Sequence, residues 1–366
     1  NDKTRDNVIR RELEFYPGET YDLEKLEVSR KNLKRLGYFK QTGVAPDRAE
    51  AGATPRNATV TVEESPTGSF GVGVGVNSNS GLMGNIEFRQ RNFDYRRWPA
   101  SARDISEGNA WTGGGQTLEL VAMPGTEVSQ FMLAFRNPRV NDSDYSLGLN
   151  LHITERGRHA YSERRMGPEI SVGKRITKNA YWDTGLTLDT VRISEVESYA
   201  PPEITANRLR GTSQVNVLHL GIGHDTRDSD LMPTEGHRVS STVEASHGVI
   251  GSDFDFARVR LDGMWYHTVL RDKLDRAFVL SWRGRLAQMF PKDDKDDPIF
   301  ERYYLGGTYD LRGFEYRGVG PHYGSEPIGG RFCGNGGIEF EFPLADEYFR
   351  GGIFYDAGNV FSRFGN

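Results

Sequence analysis

The chain has 366 residues, of which 36% are hydrophobic, 27% charged and 11% aromatic, with a formal net charge of -5. This balance excludes a disordered polyelectrolyte and offers no basic surface for nucleic acid; a single cysteine, Cys333, leaves neither a disulfide framework nor a cysteine-rich metal site. No run approaches the ~18 uninterrupted apolar residues of a membrane-crossing helix, and glycine, at 43 residues, stands well above its usual share of about 7%.

Helical periodicity is confined to the start of the chain. The spacing predicts a helix capped by Thr4 and running to Leu13, with Val8, Ile9 and Leu13 on one face. A second helix is predicted from Leu23 to Leu36, with Leu23, Leu26, Leu33 and Leu36 as its apolar stripe and Gly37 as the glycine that ends it. Two short strands follow, near 38–45 and 58–63, separated by a polar loop at 46–57. The order helix, helix, strand, strand over residues 1–66 reads as a small α+β module whose first strand is missing.

From Ser69 the period becomes two and stays two. Tyr145, Leu147, Leu149, Leu151 and Ile153 alternate with Ser146, Gly148, Asn150, His152 and Thr154; Ile338, Phe340 and Phe342 alternate with Glu339 and Glu341. Thirteen such segments are predicted, near 69–77, 83–92, 116–122, 128–136, 145–156, 166–175, 180–194, 214–225, 237–246, 255–269, 276–289, 332–342 and 350–361. Many reach the roughly 9–11 residues or more that a tilted strand needs to cross a bilayer, longer than the 5–6 typical of soluble sheets. One face is ionic and glycine-rich, as a water-filled lumen requires, and only a closed barrel satisfies such strands in lipid. The expected fold is mainly β: a transmembrane antiparallel β-barrel over 67–366. Single-chain bacterial barrels have even strand numbers, so an odd count ending at Phe364-Gly365-Asn366 places the last strands beyond this chain.

Phe70-Gly71-Val72-Gly73-Val74-Gly75-Val76 has strand alternation, not the spacing of a dinucleotide-binding turn. Phe70 and the valines are expected to face lipid, and the three glycines the lumen. The glycines then either relieve crowding inside the barrel or make a weakly held edge that opens as a lateral gate. His219, His224, His237 and His247 lack metal-ligand spacing, Asp293-Asp294-Lys295-Asp296-Asp297 lacks the glycine and glutamate of a calcium loop, and no serine sits in a nucleophile elbow. No enzymatic activity, metal or cofactor is therefore expected. Trp98, Trp111, Trp182, Trp265 and Trp282 are candidates for interfacial girdles, the last two with strand parity.

The longest strand-free stretch, about 42 residues, carries Leu311-Arg312-Gly313-Phe314. Such a loop can fold back into a lumen: arginine offers a planar fork for carboxylates, glycine lets the backbone approach the wall, and phenylalanine anchors. Glu339 and Asp356 have lumen-facing parity on the two strands that follow.

Leu311-Arg312-Gly313-Phe314 resembles the V-R-G-F/Y signature of the BamA superfamily of outer-membrane assembly and secretion proteins. Phe354-Tyr355-Asp356-Ala357-Gly358 resembles that family's F-x-D-x-G strand motif, and Asp225-Thr226-Arg227-Asp228 with Pro233-Thr234-Glu235-Gly236 its mid-barrel turn. Lys3 to Leu13 and Leu33-Lys34-Arg35-Leu36-Gly37-Tyr38-Phe39 are similar to the barrel-proximal POTRA domain, and Glu64 to Phe70 to the junction after it. The resemblance implies a barrel of about sixteen strands, about thirteen of them present, with further POTRA domains upstream. It implies that Arg312 pairs with Glu339 and Asp356. It also implies residence in the bacterial outer membrane with the POTRA module in the periplasm, and the assembly and insertion of β-barrel proteins by POTRA strand capture and a lateral gate. The implied partners are the outer-membrane bilayer, unfolded β-barrel clients, accessory outer-membrane lipoproteins and periplasmic chaperones. A two-partner-type secretion pore, or a TamA-like translocation and assembly factor of the same superfamily, is the alternative; a passive porin needs neither a POTRA module nor an Arg-Gly-Phe loop.

Overall fold

The computed structural model describes residues 3–20, 22–46, 57–77, 79–344 and 349–363. The chain folds as two compact units: Asn1–Gly73, Asn85–Ala122 and Met132–Gly148 form one, and Val74–Gly84, Met123–Phe131 and Leu149–Asn366 the other.

Helix α1 spans Asp6–Arg10, α2 Leu23–Arg35, strand β1 Phe39–Pro46 and strand β2 Ala58–Glu64. The first helix is shorter than its periodicity predicts, and Thr4 is not its cap. The Thr4 amide and hydroxyl donate instead to Glu64 at 2.8 and 3.0 Å, and the hydroxyl accepts from Asn92 Nδ2 at 2.8 Å. Helix α2 is capped by Asp22, which accepts from the Glu24 amide, and ends at Gly37 with φ +67°. Val8, Ile9, Leu33, Tyr38 and Phe39 form the core of this module, with Val44, Val60 and Val62 from the β1–β2 ladder packed on it. Leu23, expected in the apolar stripe, is exposed. The predicted polar loop lies largely outside the described residues, as do Phe364, Gly365 and Asn366.

Among the described residues thirteen strands build one antiparallel sheet. They are β3 (Gly68–Asn77), β4 (Gly81–Phe93), β5 (Gln116–Met123), β6 (Val128–Asn137), β7 (Tyr145–Gly157), β8 (Ser162–Arg175), β9 (Ala180–Ser194), β10 (Thr212–Asp225), β11 (Gly236–Ser246), β12 (Phe256–Arg271) and β13 (Ala277–Pro291). After a small hairpin, β14 (His322–Tyr323) and β15 (Glu326–Pro327), come β16 (Phe332–Pro343) and β17 (Arg350–Phe361). Each strand of the sheet neighbours the ones next to it in sequence, so the sheet is a meander with β3 and β17 at its two ends. The stretch after β13, expected to be strand-free, thus holds one short hairpin.

The two faces of the sheet differ as the alternation requires. On β12, β13, β16 and β17 the register sets Trp265 opposite Trp282, Trp282 opposite Ile338 and Ile338 opposite Tyr355, and all four are exposed. Organised exposed rows of large apolar side chains mark a surface that meets something other than water. The other face of the same strands carries Asp262 and Arg285, paired at 2.7 Å, together with Arg283, Glu339 and Asp356.

Apolar packing concentrates at the loops rather than in the sheet. Helix α4 (Pro202–Arg210), in the β9–β10 connection, contributes Ile204 to a cluster with Ala160, Tyr161, Ile193 and Ile299. Phe300 packs on this cluster and on a second around Val191, Val215, Phe254 and Met289. The segment after β13 is thereby tied to the ends of several strands before it reaches the Arg-Gly-Phe signature.

Candidate functional site

The site is built where this long connection lies on the polar face of β13, β16 and β17. On β17, Phe354 and Asp356 are two residues apart and share a face; on β16, Glu339 stands opposite Phe354 and Gly337 opposite Asp356. Arg312 reaches down onto this patch. Its Nε and Nη2 donate to the two oxygens of Asp356 at 2.7 and 3.0 Å, and Nη1 donates to Glu339 at 2.8 Å. Its backbone amide also donates to Asp356, at 3.3 Å, and its guanidinium carbon lies 3.5 Å from the centre of the Phe354 ring. Arg283 on β13 adds a further donor to Asp356 at 2.8 Å, and the Asp356 side chain is only 2% exposed. A buried carboxylate with this many charge-assisted donors is held far more firmly than a surface pair. Gly337 makes it possible: a Cβ there would overlap Asp356 Oδ1. Gly358 has a similar constraint, since a Cβ would crowd Asn335 and the Gly334 carbonyl.

The residues just before Arg312 are fixed by the same wall. Arg283 donates to the Tyr309 carbonyl at 3.2 Å, Asn335 to the Asp310 carbonyl at 3.0 Å, and Arg285 to the Asp310 carboxylate at 3.2 Å. Leu311 is the buried anchor of the signature, 1% exposed. Phe314 is not an anchor, being 54% exposed. Gly313 does not serve close approach either, because nothing lies within 4 Å of a Cβ built on it; its φ of +88° is what calls for glycine.

A second buried attachment lies upstream in the loop. Glu301, whose side chain is 3% exposed, accepts from Arg165 of β8 and, at 2.6 Å, from Arg258 of β12. Arg258 also pairs with Glu244 at 2.7 Å, and Arg165 with Asp189 at 3.1 Å. Burial, the largest single influence on the Glu301 carboxyl, would raise its pKa; the two guanidiniums outweigh it and hold the group below its ordinary value. Asp297 makes an ionic contact within the connection itself, accepting from Arg302 at 3.1 Å and Arg331 at 2.7 Å.

The glycine-rich strand β3 is one end of the sheet. Val72, Val74 and Val76 are 71%, 79% and 79% exposed, and Phe70 shares their face. Nothing lies within 4 Å of a Cβ built on Gly71 or Gly75, and only Asn85 Cβ, at 4.0 Å, near one on Gly73. Among the described residues nothing crowds these positions. The loop touches the far end of this strand, where Asn77 Nδ2 donates to the Tyr309 hydroxyl at 3.4 Å and Gly307, at φ +98°, leaves no room for a Cβ against Asn79.

Other singled-out residues have local structural roles. Asp225 takes a two-pronged bond from Arg227 at 3.0 and 2.8 Å, and Asp228 accepts from the Thr234 and Glu235 amides at 2.9 and 3.1 Å, so the mid-barrel motif organises its turn. His219 lies 3.2 Å from Asp183, His224 3.0 Å from His237, and His247 accepts from the Val249 amide at 3.1 Å.

Arg283, Arg285, Asn335 and Gly337 escape a motif-based reading, although their strand parity marks them as polar-face neighbours of Asp356. Glu301 carries no signal at all, as one acid in a polar loop.

An Omp85 superfamily domain matches residues 110–365, and a surface antigen variable number repeat, the POTRA unit, matches residues 1–65. The chain belongs to the Omp85 superfamily. It is similar to the outer membrane protein assembly factor BamA of Nitratidesulfovibrio vulgaris, 29% identical over 88% of this chain and 37% of that protein. It is also similar to the BamA of Neorickettsia risticii, 23% identical over 98% of this chain and 46% of the relative. The human sorting and assembly machinery component 50 homolog is 25% identical over 98% of this chain and 74% of its own length. The Omp85 chain thus spans less than half of either bacterial relative. Among solved structures, Haemophilus ducreyi BamA lacking POTRA domains 1–3 matches with a TM-score of 0.74 at 22% identity, over 98% of this chain and 70% of that one. CdiB from Acinetobacter baumannii matches with a TM-score of 0.60 at 14% identity, over 97% of this chain and 61% of that one. The fold is that of an outer-membrane β-barrel with a POTRA module on its periplasmic side.

Proposed function

We propose that this Omp85 chain takes part in the assembly and insertion of β-barrel proteins into the bacterial outer membrane, by β-augmentation at β3 acting as a lateral gate. The observation that carries the reading is the alternation of glycine with exposed valine along β3, with open space among the described residues at Gly71 and Gly75. A weakly paired strand that opens presents unpaired backbone donors and acceptors, and in lipid each such group costs several kcal/mol unless a partner supplies its bond. A client strand adding to β3 satisfies those groups as it leaves water. Alternating glycines lower the specificity of pairing, so strands of different sequence can be accepted and released. Strand capture at the edge of the β1–β2 ladder would hand such strands on, with accessory lipoproteins and chaperones as periplasmic partners; no chemistry or cofactor enters the scheme. Arg312, Asp356 and Glu339 hold the long loop on the barrel wall, with its tip beside the outer end of β3.

The second reading, a secretion conduit, is favoured by the likeness to CdiB but needs the lumen to be clear. Two buried ionic attachments of the loop to the strands weigh against that use.

The test is site-specific photocrosslinking from positions 70 to 76 of the full-length protein in outer membranes. Adducts with a nascent β-barrel client from both faces of the strand are expected. Adducts only from positions 71, 73 and 75, and only with a secreted soluble client, would overturn assembly in favour of the conduit.

A further inference from the structure

The β4–β5 connection, residues 94–115, is much longer than the other turns on the POTRA side and includes the short helix α3 (Ala102–Ser106). One side of it is clamped to the POTRA module. Arg5 pairs with Asp94 at 2.6 Å and its amide donates to the Gly113 carbonyl at 2.9 Å. Arg97 donates to the Lys3 carbonyl at 3.0 Å, Lys3 Nζ donates to the Glu107 carbonyl at 3.0 Å, and a Cβ on Gly113 would overlap the Lys3 carbonyl.

The other side is apolar and exposed. Trp98 is 75% exposed and meets Trp111 edge-on with ring centres 6.0 Å apart; Tyr95 and Ile105 are also exposed. Tyr95 and Phe93 both meet Phe135 edge-on, at 6.3 and 6.2 Å. Phe135 shares the outward face of β6 with the exposed Phe131, and on the neighbouring strands Phe88 stands opposite Leu120 on that face. The aromatic group is therefore a direct continuation of the lipid-facing surface past the periplasmic end of the strands. Exposed Arg96, 2.9 Å from the Tyr95 hydroxyl and with its guanidinium carbon 5.2 Å from the Tyr95 ring centre, puts positive charge beside the rings, whereas Arg103 pairs with Glu107.

We propose that residues 95–105 are a membrane-interface anchor. Tyr95, Trp98 and Ile105 enter the headgroup region of the periplasmic leaflet, Arg96 meets a lipid phosphate, and the clamp to Lys3 and Arg5 thereby ties the POTRA module to the membrane surface beside the first strands. Tryptophan and tyrosine are enriched at this depth because their rings are apolar and their N–H and O–H groups stay wet. Basic side chains next to such rings favour anionic lipid.

The test uses the full-length protein with Trp98→Cys carrying an environment-sensitive fluorophore, in vesicles of phosphatidylethanolamine and phosphatidylglycerol. Cys333 is buried, so within this chain the added thiol is the accessible one, and any cysteine elsewhere in the full-length protein is replaced by serine. Leu286→Cys serves as the reference facing lipid and Arg10→Cys, on POTRA helix α1, as the reference in water. The expected result is a blue-shifted emission at position 98, quenched by spin-labels at the headgroup and upper acyl chain and less by mid-chain labels. An emission matching position 10, or protection from aqueous quencher without quenching by any labelled lipid, which would mean a protein covers the patch, overturns the proposal. Ile105→Cys gives the same readout if the Trp98 variant fails to fold, as judged by heat-modifiable migration on gels.

Discussion

Replacing Arg312 with alanine leaves Asp356 buried beside Arg283 alone and strips Glu339 of its partner. Breaking a buried pair in this way costs on the order of 3 kcal/mol. Both Arg312→Ala and Asp356→Ala are expected to lower the temperature at which the folded form is lost on gels; unchanged heat resistance in both would count against the pairing. Within the signature the ranking of effects follows burial. Leu311→Ala should cost about 2–5 kcal/mol and Gly313→Ala about 1–2 kcal/mol from its left-handed backbone, while Phe314→Ala should change little. The same melting measurement separates the three. Glu301 predicts a pH dependence. Its folded pKa lies below the unfolded value, so its contribution is fully present above the ordinary glutamate range near ~4.3 and is lost as pH falls through the lowered folded value. Heat resistance should therefore decline in acid, and Glu301→Gln should remove part of that decline while lowering the resistance at neutral pH; an identical acid profile in the variant would show that Glu301 contributes nothing.

At the scale of elements, strands are legible because each alternates over many residues between a face that meets lipid and one that meets water. The largest boundary difference is informative: β8 begins at Ser162 rather than near 166, since Ser162-Glu163-Arg164-Arg165 has no apolar alternation to show it. That extension carries Arg165, one of the two holders of Glu301, so the missed residues at the boundary are also missed members of the site. Thr4 looks like a helix cap because threonine before an apolar run usually is one; here long-range bonds to Glu64 and Asn92 outweigh the local rule. Arg312 and its carboxylates are legible from motif and parity together, whereas the conformational role of Gly313 and the exposure of Phe314 depend on the path of the loop, which no local pattern encodes. For β3, the open space at Gly71 and Gly75 yields a separable outcome. Valine at both positions should fold and keep its heat resistance, because no neighbour among the described residues is displaced, yet should slow client insertion by fixing the strand's pairing. Insertion at the wild-type rate would remove the glycines from the mechanism.

At the scale of the whole molecule, the sheet has one face of exposed apolar rows and one ionic face. The large apolar side chains stand in exposed rows along β12, β13, β16 and β17, and no second layer covers them among the described residues. Stability comes instead from backbone pairing along the meander, from clusters at the loops and from the ionic attachments of the long connection. The proposed gate at β3 asks such a molecule to open one strand to lipid without unfolding. The most direct test is a disulfide scan, pairing single cysteines at positions 70 to 76 of the full-length protein with single cysteines along the terminal strand of a stalled β-barrel client. The account predicts bonds in one consistent register, with partners shifting residue for residue as the scan moves along β3. Bonds scattered without register, or none while the client still reaches the membrane, would contradict it.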